Sequence, residues 1–242
     1  MENYTLITGA SSGIGEFCAK KLSPGKRLIL ASDNLELLHE VQRQCANPEQ
    51  HIIWYCNFAT QRTDIFSSLS NLLIENNAIV SEYIHFAGTT QILPIKNFTI
   101  PYVDRIFNVN FFSIIEIIRV LLKKTNSNAL KNIVLISALV SKRGDVGNSI
   151  YAASKGAINS LVYTLSQELA PEIKINALMP GAIVTPMATK SSPDHLEKLG
   201  KETPLGLGYP EDVVNYVEFL LSEKSRWISG QTIFVDGGRS TK

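Results

Sequence analysis

Tyr151 and Lys155 stand four residues apart in Tyr151-Ala152-Ala153-Ser154-Lys155, within a stretch whose pattern predicts a helix from Tyr151 to Leu169. That spacing puts both side chains on one helix face. An ammonium beside a phenol favours the ionised phenol, so the pair is expected to draw the tyrosine pKa down from about 10 toward neutrality. A phenol tuned in this way can hand a proton to a carbonyl oxygen, help worth about 10²- to 10⁴-fold. A second chemistry-bearing feature lies near the start. The apolar strand Tyr4 to Thr8 runs into Gly9-Ala10-Ser11-Ser12-Gly13-Ile14-Gly15, and an amphipathic segment follows from Glu16 to Leu22. Gly9 suits the tight turn, Gly13 admits backbone close to a pyrophosphate, and Gly15 lets the helix pack on the sheet. The N–H groups around Ser11, Ser12 and Ile14 then meet phosphate charge at a helix amino terminus. A dinucleotide grip and an acid/base tyrosine are together the working parts of an oxidoreductase.

These residues need a scaffold, and the rest of the chain reads as one. Short β-branched runs alternate with longer helical patterns, the signature of βαβ units. Strands are predicted at Tyr4 to Thr8, Arg27 to Ala31, His51 to Tyr55, Glu82 to Phe86, Asn132 to Ile136, Lys174 to Leu178 and Thr232 to Val235. Helices are predicted near Leu35 to Cys45, Thr63 to Asn76, Pro101 to Lys124, Tyr151 to Leu169 and Glu211 to Leu221. The expectation is an α/β Rossmann fold: one domain over residues 1–242, built on a doubly wound parallel sheet of about seven strands with helices on both faces. From Thr185 to Pro210 the chain is punctuated by Pro186, Ser191, Ser192, Pro193, Gly200, Pro204, Gly206, Gly208 and Pro210, with only a brief helical interval. A long polar loop after a strand suits a substrate lid near 185–210, and Leu196, Leu199 and Leu205 hint at an apolar pocket wall.

Composition narrows the function classes. With 23 basic and 22 acidic residues the chain carries a net charge of +1, which gives no field of one sign for nucleic acid or an anionic membrane. Cys18, Cys45 and Cys56 follow no metal spacing and are odd in number, which points to reduced thiols in the cytoplasm. Met1-Glu2-Asn3 lacks the positive start of a signal peptide. Ile106 to Leu122 is apolar, yet Asn108, Asn110, Glu116 and Arg119 interrupt it, so a buried helix is expected in place of a membrane span. His85 reads as a hydrogen-bonded core residue; His39, His51 and His195 form no ligand pattern with it, and no metal is expected.

The wording Thr8-Gly9-x-x-x-Gly13-Ile14-Gly15 resembles the short-chain dehydrogenase/reductase family, and the resemblance runs along almost the whole chain. It includes Tyr151-x-x-x-Lys155, the strand-end Pro180-Gly181-Ala182-Ile183-Val184-Thr185 and the terminal Val235-Asp236-Gly237-Gly238. Through Pro204-Leu205-Gly206, Gly208 and Pro210-Glu211-Asp212-Val213 it is most similar to the 3-oxoacyl-acyl-carrier-protein reductase branch. The resemblance implies catalytic Tyr151 and Lys155, the lysine also bonding the nicotinamide ribose, and an Asn110 that holds a water in a proton relay. It implies cofactor contacts from the glycine turn, from Asn57 and Phe58 after the third strand, from Ala87 and Gly88 after the fourth, and from Pro180, Gly181, Ile183 and Thr185 after the sixth.

Departures from the family pattern are informative. The serine that bonds the substrate carbonyl stands thirteen places before the tyrosine in relatives, and here that place is Ala138. Ser137 is the candidate replacement and Ser141 the alternative, although strand alternation would turn Ser137 away unless the strand has ended or bulged. Losing one such donor costs about 10²- to 10³-fold. His85-Phe86-Ala87-Gly88 stands where relatives carry Asn-Asn-Ala-Gly, and Asn57 stands for their aspartate. After the second strand, Asp33 can accept bonds from the ribose hydroxyls of NAD and repel the extra phosphate of NADP, so NAD is favoured with NADP possible; a helix N-cap is its competing role. Three readings follow: a carbonyl reductase or alcohol dehydrogenase, with a 3-oxoacyl thioester among the substrates considered; a sugar or small-alcohol dehydrogenase; and a dinucleotide-binding scaffold that has lost turnover at Ala138. Phe107, Phe111, Phe112, Ile115, Ile118 and Val120 exceed one helix face. The resemblance implies a homodimer or homotetramer through that helix and the Tyr151 helix, the alternative being a monomer core that absorbs them.

Overall fold

A computed structural model describes residues 1–126, 128–189 and 193–241. Seven strands form one sheet: β1 (Glu2–Thr8), β2 (Leu28–Ser32), β3 (Ile52–Tyr55), β4 (Ala78–His85), β5 (Asn132–Ile136), β6 (Lys174–Pro180) and β7 (Thr232–Val235). Their order is β3-β2-β1-β4-β5-β6-β7, and every pairing is parallel. Parallel strands need crossovers, and helices supply them on both faces. The order reverses between β1 and β4, which leaves a crevice at the carboxyl ends of those strands.

Alternation along the strands sorts the core into two layers. Leu6, Ile29, Tyr83, Ile133, Leu135 and Ala177 pack under α3 (Ile65–Glu75), α5 (Ser113–Leu121) and α6 (Ser149–Glu168). Their neighbours Ile7, Leu30, Ile84, Val134, Ile136 and Leu178 pack under α1 (Gly13–Leu22), α2 (Leu35–Gln44) and α9 (Pro210–Leu221). Both faces are therefore dry, which is why the strands read as continuous apolar runs.

The helix expected over Pro101 to Lys124 is broken. It comprises α4 (Ile100–Phe107), a π turn at Asn108–Phe112 and then α5, which ends at Leu121. A π turn inserts one extra residue into the helical ladder, and Asn110 at its centre is fully buried. The expected Thr185–Pro210 loop is more helical than its prolines and glycines suggest, containing α7 (Pro186–Thr189) and α8 (Pro193–Glu202). Ser191 and Ser192 lie outside the described residues. Among the described residues no helix is long and apolar enough to cross a membrane. All three cysteines are buried free thiols, and burial pushes Cys56 up to about 12.

Candidate active site

A cleft of about 1050 Å³ opens at the reversal point of the sheet. Its first wall is the turn after β1. Gly9 adopts φ +68°, and a Cβ there would stand 2.7 Å from the Ala87 nitrogen. A Cβ on Gly15 would fall on the Gly9 carbonyl oxygen. The turn and the first turn of α1 are thus folded tightly on each other, at a spacing only hydrogen side chains allow. Ser12 opens α1 in extended backbone without a side-chain cap, so its hydroxyl leaves the first N–H groups of the helix for another partner. A cradle without Cβ atoms at a helix amino terminus fits a dinucleotide diphosphate.

Ser11, Ser12, Gly13, Ile14, Asp33, Asn57, Phe58, Ala87 and Gly88 line this same cleft, as do Pro180, Gly181, Ile183 and Thr185. Phe58 presents little of itself: it is 5 % exposed, edge-on to Trp54 and stacked on His85. Asn57 folds back, its side-chain oxygen accepting from the Ala59 N–H. The competing role for Asp33 falls away, because Asn34 caps α2 by accepting from the Leu37 N–H. Among the described residues the Asp33 carboxylate keeps one contact, at 3.4 Å from the Ser32 hydroxyl. The stretches 9–15, 32–34 and 56–60 that build this end contain no lysine or arginine.

Tyr151 and Lys155 lie on the first turns of α6 and face the cleft. The lysine Nζ stands 5.9 Å from the centre of the phenol ring and donates to the Ile136 carbonyl at 2.8 Å. The expected lowering of the phenol does not occur in this arrangement. Burial pushes Tyr151 up to about 12 and Lys155 down to about 7, because the floor of the cleft strips water from both. The tyrosine is therefore a protonated donor at neutral pH.

Asn110 is brought to the same place from behind. A Cβ on Gly88 would lie 3.4 Å from Lys155 Nζ and 3.6 Å from Asn110 Oδ1. The Asn110 amide clamps Thr89, accepting from its N–H at 2.8 Å and donating to its carbonyl and to Ser154 Oγ, each at 3.0 Å. It does not itself line the cleft. Asn108 does, and it donates to the Ala59 carbonyl. His85 is fully buried, with Nδ1 at 2.8 Å from Thr8 Oγ1 and 2.7 Å from the Tyr83 hydroxyl.

The substitute hydroxyls are turned elsewhere. Pairing continues past β5, with Ser137 N–H on the Leu178 carbonyl and Ala138 still extended at φ −160° and ψ 151°. No bulge intervenes, so parity holds. Ser137 Oγ points under α6 and donates to the Lys155 carbonyl at 3.0 Å. Ser141 Oγ donates to the Ala138 carbonyl and accepts from Asn159. Both Ser137 and Ala138 border the cleft, but the Ser137 hydroxyl is bonded away from it under α6.

The substrate end is walled by Ile92, Leu139, Val140, Met187, Leu196 and Leu199, while Leu205 is 85 % exposed and outside it. Asp145, Asn148 and Arg239 also line this end and carried no clear sequence signal, although Asn148 stands one helical turn before Tyr151. Arg239 ties α8 to the carboxyl-terminal turn by pairing with Glu202 at 3.1 Å. Among the described residues no cluster of three histidine, cysteine or acidic side chains could hold a metal.

Comparison with known proteins places the chain in context. The family model for enoyl-(acyl carrier protein) reductases matches residues 9–240. The 3-oxoacyl-acyl-carrier-protein reductase FabG of Rickettsia prowazekii is 33 % identical over 241 residues, covering 97 % of this chain and 95 % of that protein. L-xylulose reductase of Bos taurus is 29 % identical over 239 residues, covering 96 % and 94 %. The crystal structure of a short-chain dehydrogenase/reductase, a glucose/ribitol dehydrogenase from Brucella melitensis, superposes with a TM-score of 0.88 at 27 % identity, covering 98 % of this chain and 96 % of that one. Other solved chains of this fold carry NADP, NADPH or NADH.

Proposed function

We propose, for a chain that belongs to the short-chain dehydrogenase/reductase family of NAD(P)-dependent oxidoreductases, that it is an NADH-preferring carbonyl reductase acting on a small 3-oxoacyl thioester. The observation that carries the reading is the meeting of Tyr151 and Lys155 with the glycine turn in one cleft. Gly9 to Gly15 would hold the diphosphate, Asp33 the adenosine ribose, and Lys155 the nicotinamide ribose. When bound, the nicotinamide supplies the hydride. Tyr151, protonated at neutral pH, gives its proton to the carbonyl oxygen. Lys155 is a desolvated amine whose acceptor among the described residues is the Ile136 carbonyl, so it has donors left for a ribose hydroxyl. Asn110 fixes Thr89 and Ser154 around that lysine and acts as a positioning residue.

NADH is favoured over NADPH because Asp33 has no cation beside it in the loops that build its end of the cleft. Met187 on α7 and Leu196 and Leu199 on α8 would cover an acyl chain. Buried free thiols suit a cytoplasmic enzyme. A sugar reductase is the second reading, favoured by Asp145, Asn148 and Arg239, which offer a polyol several hydrogen bonds. NADH oxidation with acetoacetyl-coenzyme A and with xylulose discriminates the two. Tyr151→Phe is expected to lower turnover about 10²- to 10⁴-fold while NADH still binds. Full activity in that variant would refute the mechanism, and a wild-type protein that binds dinucleotide yet reduces nothing would favour a scaffold.

A further inference from the structure

We propose that the side-chain amide of Asn148 is the donor that holds the substrate carbonyl oxygen beside Tyr151, in place of the hydroxyl that Ala138 lacks. The inference rests on the oxidoreductase reading above and assigns a residue to that same site. A carbonyl oxygen that gains charge as hydride arrives is stabilised by fixed donors aimed at it. Tyr151 is one. Three nearby hydroxyls are engaged, Ser137 on the Lys155 carbonyl, Ser141 on the Ala138 carbonyl and Ser154 on the Tyr151 carbonyl, while Thr89, a partly exposed residue that also lines the cleft, is the rival donor tested below. Thr90 also lines the cleft, but its unpaired Oγ1 is itself buried.

Asn148 differs from all of these. It lines the cleft, its residue is only 8 % exposed, and its side chain makes no hydrogen bond to the protein. An amide that lines a cleft without a protein partner is free to bond a ligand there. The local alternative was at hand, because Asn148 occupies the N-cap of α6, where asparagine ordinarily accepts from the following N–H groups. It makes no such bond. Its backbone is meanwhile pinned from both sides: the Leu93 N–H bonds the Gly147 carbonyl at 2.9 Å, the Asn148 N–H bonds the Asp145 carbonyl, and the Asn148 carbonyl accepts from Ala152 at 2.7 Å. A fixed main chain with a spare amide, one helical turn from Tyr151, is a preorganised donor. Asn148 makes and breaks no covalent bond. The carbonyl takes a hydride at carbon and the Tyr151 proton at oxygen, and the amide N–H stays hydrogen-bonded to that oxygen throughout.

The test compares wild type, Asn148→Ala, Ala138→Ser and the double variant, with NADH and whichever of acetoacetyl-coenzyme A or xylulose the wild type reduces better. Asn148→Ala is expected to lower kcat/KM about 10²- to 10³-fold with the NADH Kd unchanged. Ala138→Ser should restore about tenfold or more in the Asn148→Ala background and change the wild type by less than about threefold, the non-additivity of two donors to one oxygen. Asn148→Asp, which keeps the shape and loses the N–H, guards against a folding defect and is expected to lose activity equally. A crystal of the complex with NAD and the unreduced ketone should put Asn148 Nδ2 within about 3 Å of its oxygen. Retained activity in Asn148→Ala, equal gains from Ala138→Ser in both backgrounds, or a loss from Thr89→Val instead would overturn the assignment while leaving the oxidoreductase reading standing. A wild type that binds no dinucleotide would end both.

Discussion

Replacing Lys155 by methionine should make the protein more stable and useless, and the size of the gain should depend on pH in a defined way. The lysine is 3 % exposed, and burial lowers it from 10.5 to about 7. In the unfolded chain it holds its proton up to the ordinary value, so between pH 7 and 10.5 the unfolded state binds more protons than the native one. Stability therefore rises with pH across that window. The burial penalty is full below pH 7, about 5 kcal/mol at 1.36 kcal/mol per unit, falls to about 2 kcal/mol at pH 9, and is gone above 10.5. Methionine removes the penalty but leaves the Ile136 carbonyl without its donor, a loss of about 1–3 kcal/mol. The net gain is about 2–4 kcal/mol at pH 6, or a rise in Tm of about 5–10 °C for a domain of this size, and it shrinks to nothing near pH 9. Thermal or urea unfolding of both proteins without cofactor at pH 6, 7.5 and 9 measures it. A variant less stable than wild type at pH 6, or a difference that does not shrink as pH rises, would refute the idea that the cleft floor stores this cost.

Other outcomes follow from the cleft. Asp33→Arg is expected to reverse cofactor preference, weakening NADH and tightening NADPH by about tenfold or more each in fluorescence titration, since it exchanges repulsion of a phosphate for attraction. An unchanged ratio would show that Asp33 does not face the ribose. Gly15→Ala puts a methyl on the Gly9 carbonyl oxygen, so the turn must open; overpacking of about 1–3 kcal/mol predicts about 5- to 150-fold weaker NADH binding. Light scattering should give a multiple of 26.7 kDa, because Phe107, Phe111, Phe112 and Ile115 remain only partly buried in the isolated chain. A 26.7 kDa species would return those side chains to the monomer.

How legible the site was depended on whether its signal is local. The glycine turn and the Tyr151–Lys155 pair were readable because chain geometry alone fixes them: a turn between strand and helix, and two side chains four apart. The strands Asn132–Ile136 and Thr232–Val235 were delimited correctly by their β-branched runs. The π turn at Asn108–Phe112 was not, since the apolar pattern continues through it and the bulge is set by tertiary anchoring of Asn110 on Thr89. The electrostatics depart from the spacing-based expectation for a similar reason. Spacing predicted that lysine would lower the phenol, but desolvation depends on everything packed around the pair, and it dominates both groups. Arg239 entered the cleft from the far end of the chain, a juxtaposition that only the β7 pairing creates.

His85 explains why the lysine can carry the positive charge of this floor alone. Burial, with Lys155 nearby, holds the imidazole at about 3, so it is neutral at any working pH. Its Nδ1 meets hydroxyls from β1 and β4 and thereby ties the two strands whose ends form the crevice. A charged histidine there would raise the cost of protonating Lys155 still further, since two like charges in a dry floor repel strongly. His85 braces the two strands only while it stays uncharged. The brace and a protonated Lys155 are thus compatible only because His85 stays neutral, and the same burial keeps Tyr151 protonated at neutral pH.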